Sequence, residues 1–270
     1  MAHFVKITPG RTLRIHPAVC APYGADFDGD EMNIHAPQTE EARAEAEVLL
    51  NVNANLFSPK NNMNFLGCVK DAISGNFILR ESELNRGDAS QLLYESGINA
   101  PNLNKISSGK DIFEKVFPKA VAIKDFDVTS FKTGKGDALR AVDNTLGRSD
   151  AIELLRQVFA LGTTFLSKTG FTLSVKDLNV SDFVKDKTNK IIKSAEEKTQ
   201  KIIESYYDGS IESLPGKSAE ETRENKILRV LNGTRTEIGD VVRDNFPKDS
   251  LASKMISSGA GGSMLNITQI

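Results

Sequence analysis

Three aspartates at alternate positions, Asp26, Asp28 and Asp30, form a compact group of potential metal ligands. In an extended or looped backbone alternate side chains share one side, so the three carboxylates would converge on a small volume. Carboxylates this close repel one another strongly unless a cation lies among them. Oxygen ligands of this kind suit Mg²⁺, which retains several waters and usually binds together with substrate phosphates. A solvated acidic turn is the alternative, and the spacing alone does not decide between the two.

The flanking residues separate three chemistries that use such a pattern. A calcium-binding EF-hand loop that began at Asp26 would need glycine at its sixth position and glutamate at its twelfth. The chain has Glu31 and Pro37 there, which excludes that loop. Phosphotransferases of the haloacid dehalogenase type carry Asp-x-Asp-Gly-Thr after a buried strand. Asp30 stands where threonine is required, and the segment 21–24 is a poor end for a buried strand, so this class is disfavoured.

The residues on both sides of the three aspartates agree with a third class of protein. Residues 24–32 read Gly-Ala-Asp-Phe-Asp-Gly-Asp-Glu-Met. This run resembles the signature Asn-Ala-Asp-Phe-Asp-Gly-Asp-(Glu/Gln)-Met of the largest catalytic subunit of multisubunit DNA-directed RNA polymerases, the beta-prime-like or archaeal A-prime-type subunit. Gly24 replaces the asparagine. The resemblance implies that Asp26, Asp28 and Asp30 hold Mg²⁺ in a two-metal transfer of nucleotides from NTPs to an RNA 3′ end on a DNA template.

Composition places limits on the environment of the chain. A net charge of −2 gives no overall basic field, so any contact with nucleic acid has to be local or supplied by a partner. Cys20 and Cys68 lack the spacing of metal ligands, which favours reduced thiols in a cytosolic protein. The sequence has no secretory signal and no apolar run that could span a bilayer. We therefore expect a cytoplasmic protein without membrane contact, associated with the nucleoid when it is assembled into an archaeal-type polymerase.

The N-terminal residues predict short strands. His3–Ile7 alternates apolar and polar residues, a Thr-Pro-Gly turn follows, and Thr12–Ile15 reads as a second strand. About three short strands cannot bury both of their faces alone, so we expect half of a barrel whose other half lies elsewhere. The resemblance implies the same, because this series leads into a double-psi β-barrel in the family. The resemblance also places Met1 in the middle of a family domain, so the preceding segment with its substrate-contacting arginine is absent from this sequence. It therefore implies a fragment or one piece of a split subunit.

The sequence as a whole predicts an α+β fold in four parts. Residues 1–38 are expected to form half of the catalytic β-barrel with the aspartate loop, and residues 39–180 a mixed pore-like domain. Residues 181–247 are expected to form a funnel-like helical hairpin, and residues 248–270 a segment that leads towards an absent bridge helix. Apolar spacing and caps predict helices at 39–50, 66–79, 88–93, 111–116, at 137–168 with a break near Gly147, at 182–206, and from a Ser218 cap onwards. We expect strands in 118–137, where the resemblance also suggests a deletion, and at 170–178.

The two helices near the C-terminus predict an antiparallel hairpin. One stripe comprises Val184, Ile191, Ala195, Ile202 and Tyr206, and the other Ile227, Leu231, Thr234, Ile238 and Val241. Spacings of three and four are typical of a packed seam. Most such hairpins are structural arms. The resemblance implies funnel helices that rim the entry channel for nucleotides and receive a transcript-cleavage factor.

Several further residues are candidates for the site. His16 and His35 flank the aspartates, and a hydrogen-bonded structural role is favoured for them over metal or acid–base chemistry. For Arg11 and Arg14, phosphate contact and surface ion pairing are equally open.

The C-terminal run 254–270 resembles a glycine-containing element of the family, in which Gly261 replaces a basic residue thought to meet the phosphates of the incoming nucleotide. The glycines of this run either cap a helix or let the backbone approach a substrate. We predict substrate binding by Gly24, Arg14 and Gly261.

Two functions follow from this sequence. The favoured one is the catalytic-centre part of an archaeal-type polymerase largest subunit, a nucleotidyltransferase that is active only in the assembled complex and inactive as an isolated chain. Its partners would be the second-largest subunit, the rest of the largest subunit, DNA, RNA and NTPs. The alternative is a non-catalytic fragment or assembly module that retains the pore and funnel regions. Gly24, Gly261 and the missing arginine favour the alternative, whereas the intact aspartates favour catalysis.

Overall fold

The computed structural model describes residues 1–99, 106–121 and 127–268, and these residues form a helical protein. Its helices, in chain order, are α1 (Cys20–Tyr23), α2 (Glu40–Val48), α3 (Asp71–Glu81), α4 (Arg86–Glu95), α5 (Gly109–Val116), α6 (Asp137–Leu146), α7 (Arg148–Thr169), α8 (Asp182–Tyr207), α9 (Ala219–Asn245), α10 (Leu251–Ser257) and α11 (Met264–Thr268). Short 3₁₀ turns cover Pro17–Val19, Val128–Phe131 and Val175–Leu178.

The predicted α+β class with partial β-barrel strands is wrong. Within the described ranges no strand or sheet forms, and the extended backbone makes only isolated β-bridges such as Ala2 with Asn51. The alternating residues 3–15 lie beside no partner strand. Most of their apolar side chains face solvent, with Phe4 80% and Ile7 95% exposed, whereas Ile15 is half-buried against the core of the first unit. Alternation favours a strand only where a neighbour completes the ladder, and here the backbone has none.

The other two predicted strand regions are also wrong where the structure describes them. Within 118–137, Asp127 accepts a hydrogen bond from the Thr129 amide and starts a 3₁₀ turn, which buries Val128 and Phe131 at a spacing of three. Within 170–178, Ser174 and Asp177 form a capping box that starts another 3₁₀ turn. At both places local hydrogen bonds between side chains and the backbone therefore stabilise a 3₁₀ turn instead of the predicted strand. Part of the first region, residues 122–126, lies outside the described residues.

Caps fix several of the helices at the predicted positions. The Thr39 hydroxyl accepts a hydrogen bond from the Ala42 amide at 3.2 Å and starts α2. The capping box between Ser218 and Glu221 starts α9, as predicted. Gly147, with φ of 101°, separates α6 from α7, which confirms the predicted break.

The chain forms two compact units. The first comprises Met1–Phe171 with Ser257–Gly261, and the second comprises Thr172–Ile256 with Gly262–Ile270. The four-part division of the sequence stays a prediction.

The core of the first unit is built on the crossing of α3 and α7. Gly75 and Gly162 lie at this crossing, and a Cβ added to either would come within 3.0 Å of the backbone of the other helix. The buried amide of Asn76 on α3 donates to the carbonyls of Ala72 (2.7 Å) and Val158 (2.8 Å). The two helices therefore pack backbone to backbone, with a polar side chain tying them together.

In the second unit α8 and α9 pack as an antiparallel hairpin. Val184 at the start of α8 lies in one apolar cluster with Val241 and Val242 near the end of α9. At the opposite end the Arg223 guanidinium lies 4.4 Å from the centroid of the Tyr206 ring. The predicted hairpin is confirmed, but Leu231, which was placed on the seam, is 49% exposed.

Both cysteines are free, as predicted. Cys68 is fully buried in the first unit, and this burial raises the pKa of its thiol to about 12. Of the helices in the part of the chain that the structure describes, none combines the length and the apolar character needed to cross a lipid bilayer.

Candidate metal centre

The acidic loop begins where α1 ends, at Gly24. Gly24 adopts the left-handed conformation (φ 60°, ψ 25°), and its amide donates to the carbonyl of Ala21 at 3.1 Å. The next amide, that of Ala25, donates to the carbonyl of Cys20 at 2.9 Å. These two bonds form a Schellman motif, which ends a helix and turns the chain sharply. The direction in which the loop leaves α1 is therefore fixed by backbone hydrogen bonds.

The loop brings the three predicted aspartates together. One carboxylate oxygen from each of Asp26, Asp28 and Asp30 lies within 4.8 Å of those of the other two. The amide of Asp26 donates to Oδ2 of Asp30 at 3.0 Å, which closes the loop on itself, and Gly29 provides the turn between them with φ of 129°. All three side chains are exposed to solvent. Among the described residues this is the one group of three acidic, His or Cys side chains with metal-binding separation.

The donor set fits a small divalent cation that prefers oxygen. Neighbouring ligands on octahedral Mg²⁺, each at about 2.1 Å, lie about 3.0 Å apart and opposite ligands about 4.2 Å apart, so the exposed carboxylates would rotate towards one another to share one ion. Exposure leaves further coordination positions open to water and to substrate oxygens. Binding of a metal by Asp26, Asp28 and Asp30 stays a prediction that this geometry supports.

His16 has the structural role that the sequence favoured. Its Nδ1 accepts a hydrogen bond from the Ala18 amide at 3.1 Å and caps the 3₁₀ turn before α1. Its ring lies 4.5 Å from that of Phe159, and the accompanying desolvation lowers the pKa of the imidazole. His35 is exposed.

The two predicted arginines lie on the surface. Arg11 and Arg14 are exposed, and within the described residues no ion pair joins either of them to the three aspartates. Gly261, the other predicted substrate-binding position, lies in the Ser257–Gly261 part of the first unit, and a Cβ there would meet no atom within 4 Å. Substrate binding by Arg14, Gly24 and Gly261 stays a prediction.

One contact beside the loop was missed from the sequence. Nε2 of His3 lies 2.7 Å from the hydroxyl of Tyr23, which also donates to the carbonyl of Met1 at 3.3 Å. Desolvation lowers the pKa of His3 and raises that of Tyr23. The pair ties the N-terminal segment to the last residue of α1, directly before the acidic loop. The two residues are 20 positions apart in the chain, and no periodicity predicts such a contact.

Comparison with known proteins identifies the family. The family model described as RNA polymerase Rpb1, domain 2, matches residues 1–52, which include the acidic loop, and the model described as RNA polymerase Rpb1, domain 4, matches residues 203–270. Along its whole length the chain is 34% identical to the DNA-directed RNA polymerase subunit Rpo1N of Halobacterium salinarum and 32% identical to that of Methanococcus vannielii. It is 31% identical, again along its whole length, to the DNA-directed RNA polymerase III subunit RPC1 of Saccharomyces cerevisiae.

These matches place the chain among the subunits of DNA-directed RNA polymerases. Within that class it belongs to the family of the largest subunit, as the resemblance predicted. The chain spans 31% of the Halobacterium subunit, 35% of the Methanococcus subunit and 22% of the yeast subunit. The alignment with the Halobacterium subunit runs over 299 positions, so that relative contains residues without a counterpart in these 270.

Proposed function

We propose that this chain supplies the metal-binding loop of the catalytic centre of a DNA-directed RNA polymerase, and that it acts only within the assembled complex. The observation that carries the proposal is the convergence of three carboxylate oxygens within 4.8 Å, in a loop inside the segment that matches RNA polymerase Rpb1, domain 2. The reaction would be transfer of a nucleotide from an NTP to the 3′ end of an RNA chain on a DNA template.

Asp26, Asp28 and Asp30 would hold Mg²⁺, in the two-metal arrangement typical of polymerases. When bound, the ions activate the attacking hydroxyl and stabilise the leaving oxygens. The chain contributes position and charge: the Schellman motif at Gly24 directs the loop, and the bond from the Asp26 amide to Asp30 holds its two ends together. No protein side chain is required as a general base. Arg14, Gly24 and the Gly261 backbone would contact the substrate.

The partners follow from the same proposal. The chain would assemble with the rest of the largest subunit and with the second-largest subunit, around DNA, RNA and NTPs in the cytoplasm at the nucleoid. Large apolar side chains that face solvent, among them Phe4, Val5 and Ile7, support burial against other polypeptide. The α8–α9 hairpin would offer a surface for a transcript-cleavage factor.

Reconstitution tests the catalytic role. The chain is combined with the remaining polymerase subunits, and Mg²⁺-dependent extension of an RNA primer is measured for the unaltered protein, for Asp28→Asn and for Glu45→Gln. Asp28→Asn removes one ligand charge and should reduce extension by roughly a thousandfold. Glu45→Gln removes an exposed carboxylate on α2 and should leave extension unchanged. The isolated chain should extend nothing.

The same experiment distinguishes the alternative function. A complex that assembles fully but extends no primer, with Asp28→Asn indistinguishable from the unaltered chain, would show a non-catalytic assembly module. Assembly is checked independently by size-exclusion chromatography, so that a failure to assemble is not mistaken for a failure of catalysis.

A further inference from the structure

A lysine from the middle of the chain contacts the glycine-containing segment near its C-terminus. Nζ of Lys132 lies 2.5 Å from the carbonyl oxygen of Gly259, although the two residues are 127 positions apart in the chain. A Cβ added to Gly259 would lie 3.6 Å from the same Nζ and 3.7 Å from the Thr129 methyl group. The segment Ser257–Gly261 therefore lies directly on the turn formed by Val128–Phe131 and on the residue after it.

The backbone that carries Lys132 is itself held in place. The side-chain amide of Asn64, which is 2% exposed, donates to the carbonyls of Ser130 (3.1 Å) and Lys132 (3.2 Å). The amide of Lys132 donates to the carbonyl of Thr129 at 3.0 Å, and the neighbouring Phe131 side chain is fully buried. The ammonium group thus projects from an ordered turn, so its contact with Gly259 requires ordering of the lysine side chain alone.

The segment that receives this contact has a conformation that needs support. Gly259 has φ of 71°, in the left-handed region. The preceding Ser258 is fully buried, and Ala260 packs against the core of the first unit. A hydrogen bond from an ammonium group is about twice as strong as one between neutral partners. Lys132 therefore supplies a strong polar contact at the point where the chain makes its left-handed turn.

We propose that Lys132 is a positioning residue: it fixes the Gly259–Gly261 backbone by holding the Gly259 carbonyl. The effect on nucleotide binding rests on the proposed function, under which the Gly261 backbone contacts the substrate. Lys132 does not touch the substrate in this proposal and acts through the segment that it holds.

Amide hydrogen exchange of the full chain tests the positioning without any activity. Lys132→Met should speed exchange at the amides of Gly259, Ala260 and Gly261 about tenfold or more, because a hydrogen bond to a charged group is lost. Lys132→Arg retains a donor at a similar reach and should restore most of the protection. The matched control is Lys135→Met, which removes an exposed lysine of the same loop and should leave exchange unchanged. Unchanged exchange in Lys132→Met, or an equal effect of Lys135→Met, overturns the proposal.

Kinetics of the reconstituted polymerase test the consequence. Lys132→Met should raise KM for the NTP about fivefold and leave kcat within about twofold, since the lost interaction concerns the placement of bound substrate. Lys132→Arg should return KM towards the unaltered value. An unchanged KM together with faster exchange overturns the link to the substrate. If the complex reconstituted with the unaltered chain extends no RNA primer, the proposed function is contradicted. The hydrogen-exchange experiment still decides the role of Lys132 in that case.

Discussion

At the level of single residues, Gly24 sets the direction in which the acidic loop leaves α1. Its left-handed conformation is one that glycine adopts freely and that asparagine tolerates better than other side chains. The polymerase signature has asparagine at this position, and the structure gives a reason why the two residues can exchange there. A Cβ at Gly24 would meet no atom of the chain within 4 Å, so the stability of the chain limits this position through backbone conformation and not through crowding.

Substitutions at Gly24 should therefore follow backbone preference. We expect Gly24→Asn to lower the free energy of unfolding by less than about 1 kcal/mol and Gly24→Val by about 2 kcal/mol, because a β-branched residue is strained at positive φ. Urea unfolding followed by circular dichroism measures both variants. Equal losses would show that crowding, and not the left-handed conformation, limits this position.

The candidate site could be found from the sequence only where its residues are close together in the chain. Asp26, Asp28 and Asp30 lie within five residues, so local geometry sufficed to bring them together. The contact between His3 and Tyr23 and that between Lys132 and Gly259 join distant segments. Contacts of that kind depend on tertiary packing, and neither composition nor periodicity specifies them.

At the level of elements, sequence analysis succeeded where caps and helical periodicity agreed. The predicted helix at 182–206 is observed as α8, and the Ser218 cap starts α9. The predicted strands failed because alternation indicates a strand only if another strand pairs with it. The close crossing of α3 and α7 was also not foreseen: Gly75 and Gly162 are 87 positions apart, and a glycine within a helical pattern does not reveal which backbone it approaches.

Glycine-to-alanine substitutions should have opposite effects in different helices. Gly75→Ala and Gly162→Ala place a methyl group against the facing backbone, so each should lower the stability of the first unit by about 3 kcal/mol or more. Gly233 lies within α9, is exposed, and has open space around it. Gly233→Ala should raise the stability of the second unit by about 0.5–1 kcal/mol, because alanine is the better helix former. Thermal unfolding monitored by circular dichroism measures all three.

The sign of each change is the test. A destabilising Gly233→Ala would mean that α9 has a contact at this face in solution. A neutral Gly162→Ala would mean that α3 and α7 can move apart at little cost, so that their backbones need not lie in contact.

At the level of the whole molecule, the two units differ in the apolar core that each contains. The first unit has a continuous cluster that runs through α3, α5, α6 and α7. The buried part of the second unit's cluster consists of five side chains, namely Val184, Val241, Val242, Phe246 and Ala252. Because burial of apolar area is the main favourable contribution to folding, the second unit should be the less stable of the two.

Cys68 offers a probe of the first unit alone. Its thiol is fully buried, and burial raises its pKa to about 12, so the thiolate required for labelling forms only after unfolding.

The raised pKa of Cys68 also makes the stability of the first unit depend on pH. The folded thiol remains protonated, whereas an unfolded thiol ionises near its ordinary pKa of 9.0. The free energy of unfolding of the first unit should therefore fall as the pH rises from 9.0 towards 12.

We therefore expect two separate unfolding transitions in urea. In a Cys20→Ser background, in which Cys68 is the remaining cysteine, helical circular dichroism should begin to fall at a lower urea concentration than the one at which Cys68 becomes reactive towards a thiol reagent. Val242→Ala should destabilise the earlier transition by about 2 kcal/mol and leave Cys68 labelling unchanged. Val158→Ala should shift the labelling by a similar amount and leave the earlier transition unchanged.

The contradicting outcome is that circular dichroism and labelling coincide in the unaltered chain and that both valine variants shift them together. The two units would then unfold as one cooperative structure, and the difference between their apolar cores would not govern stability.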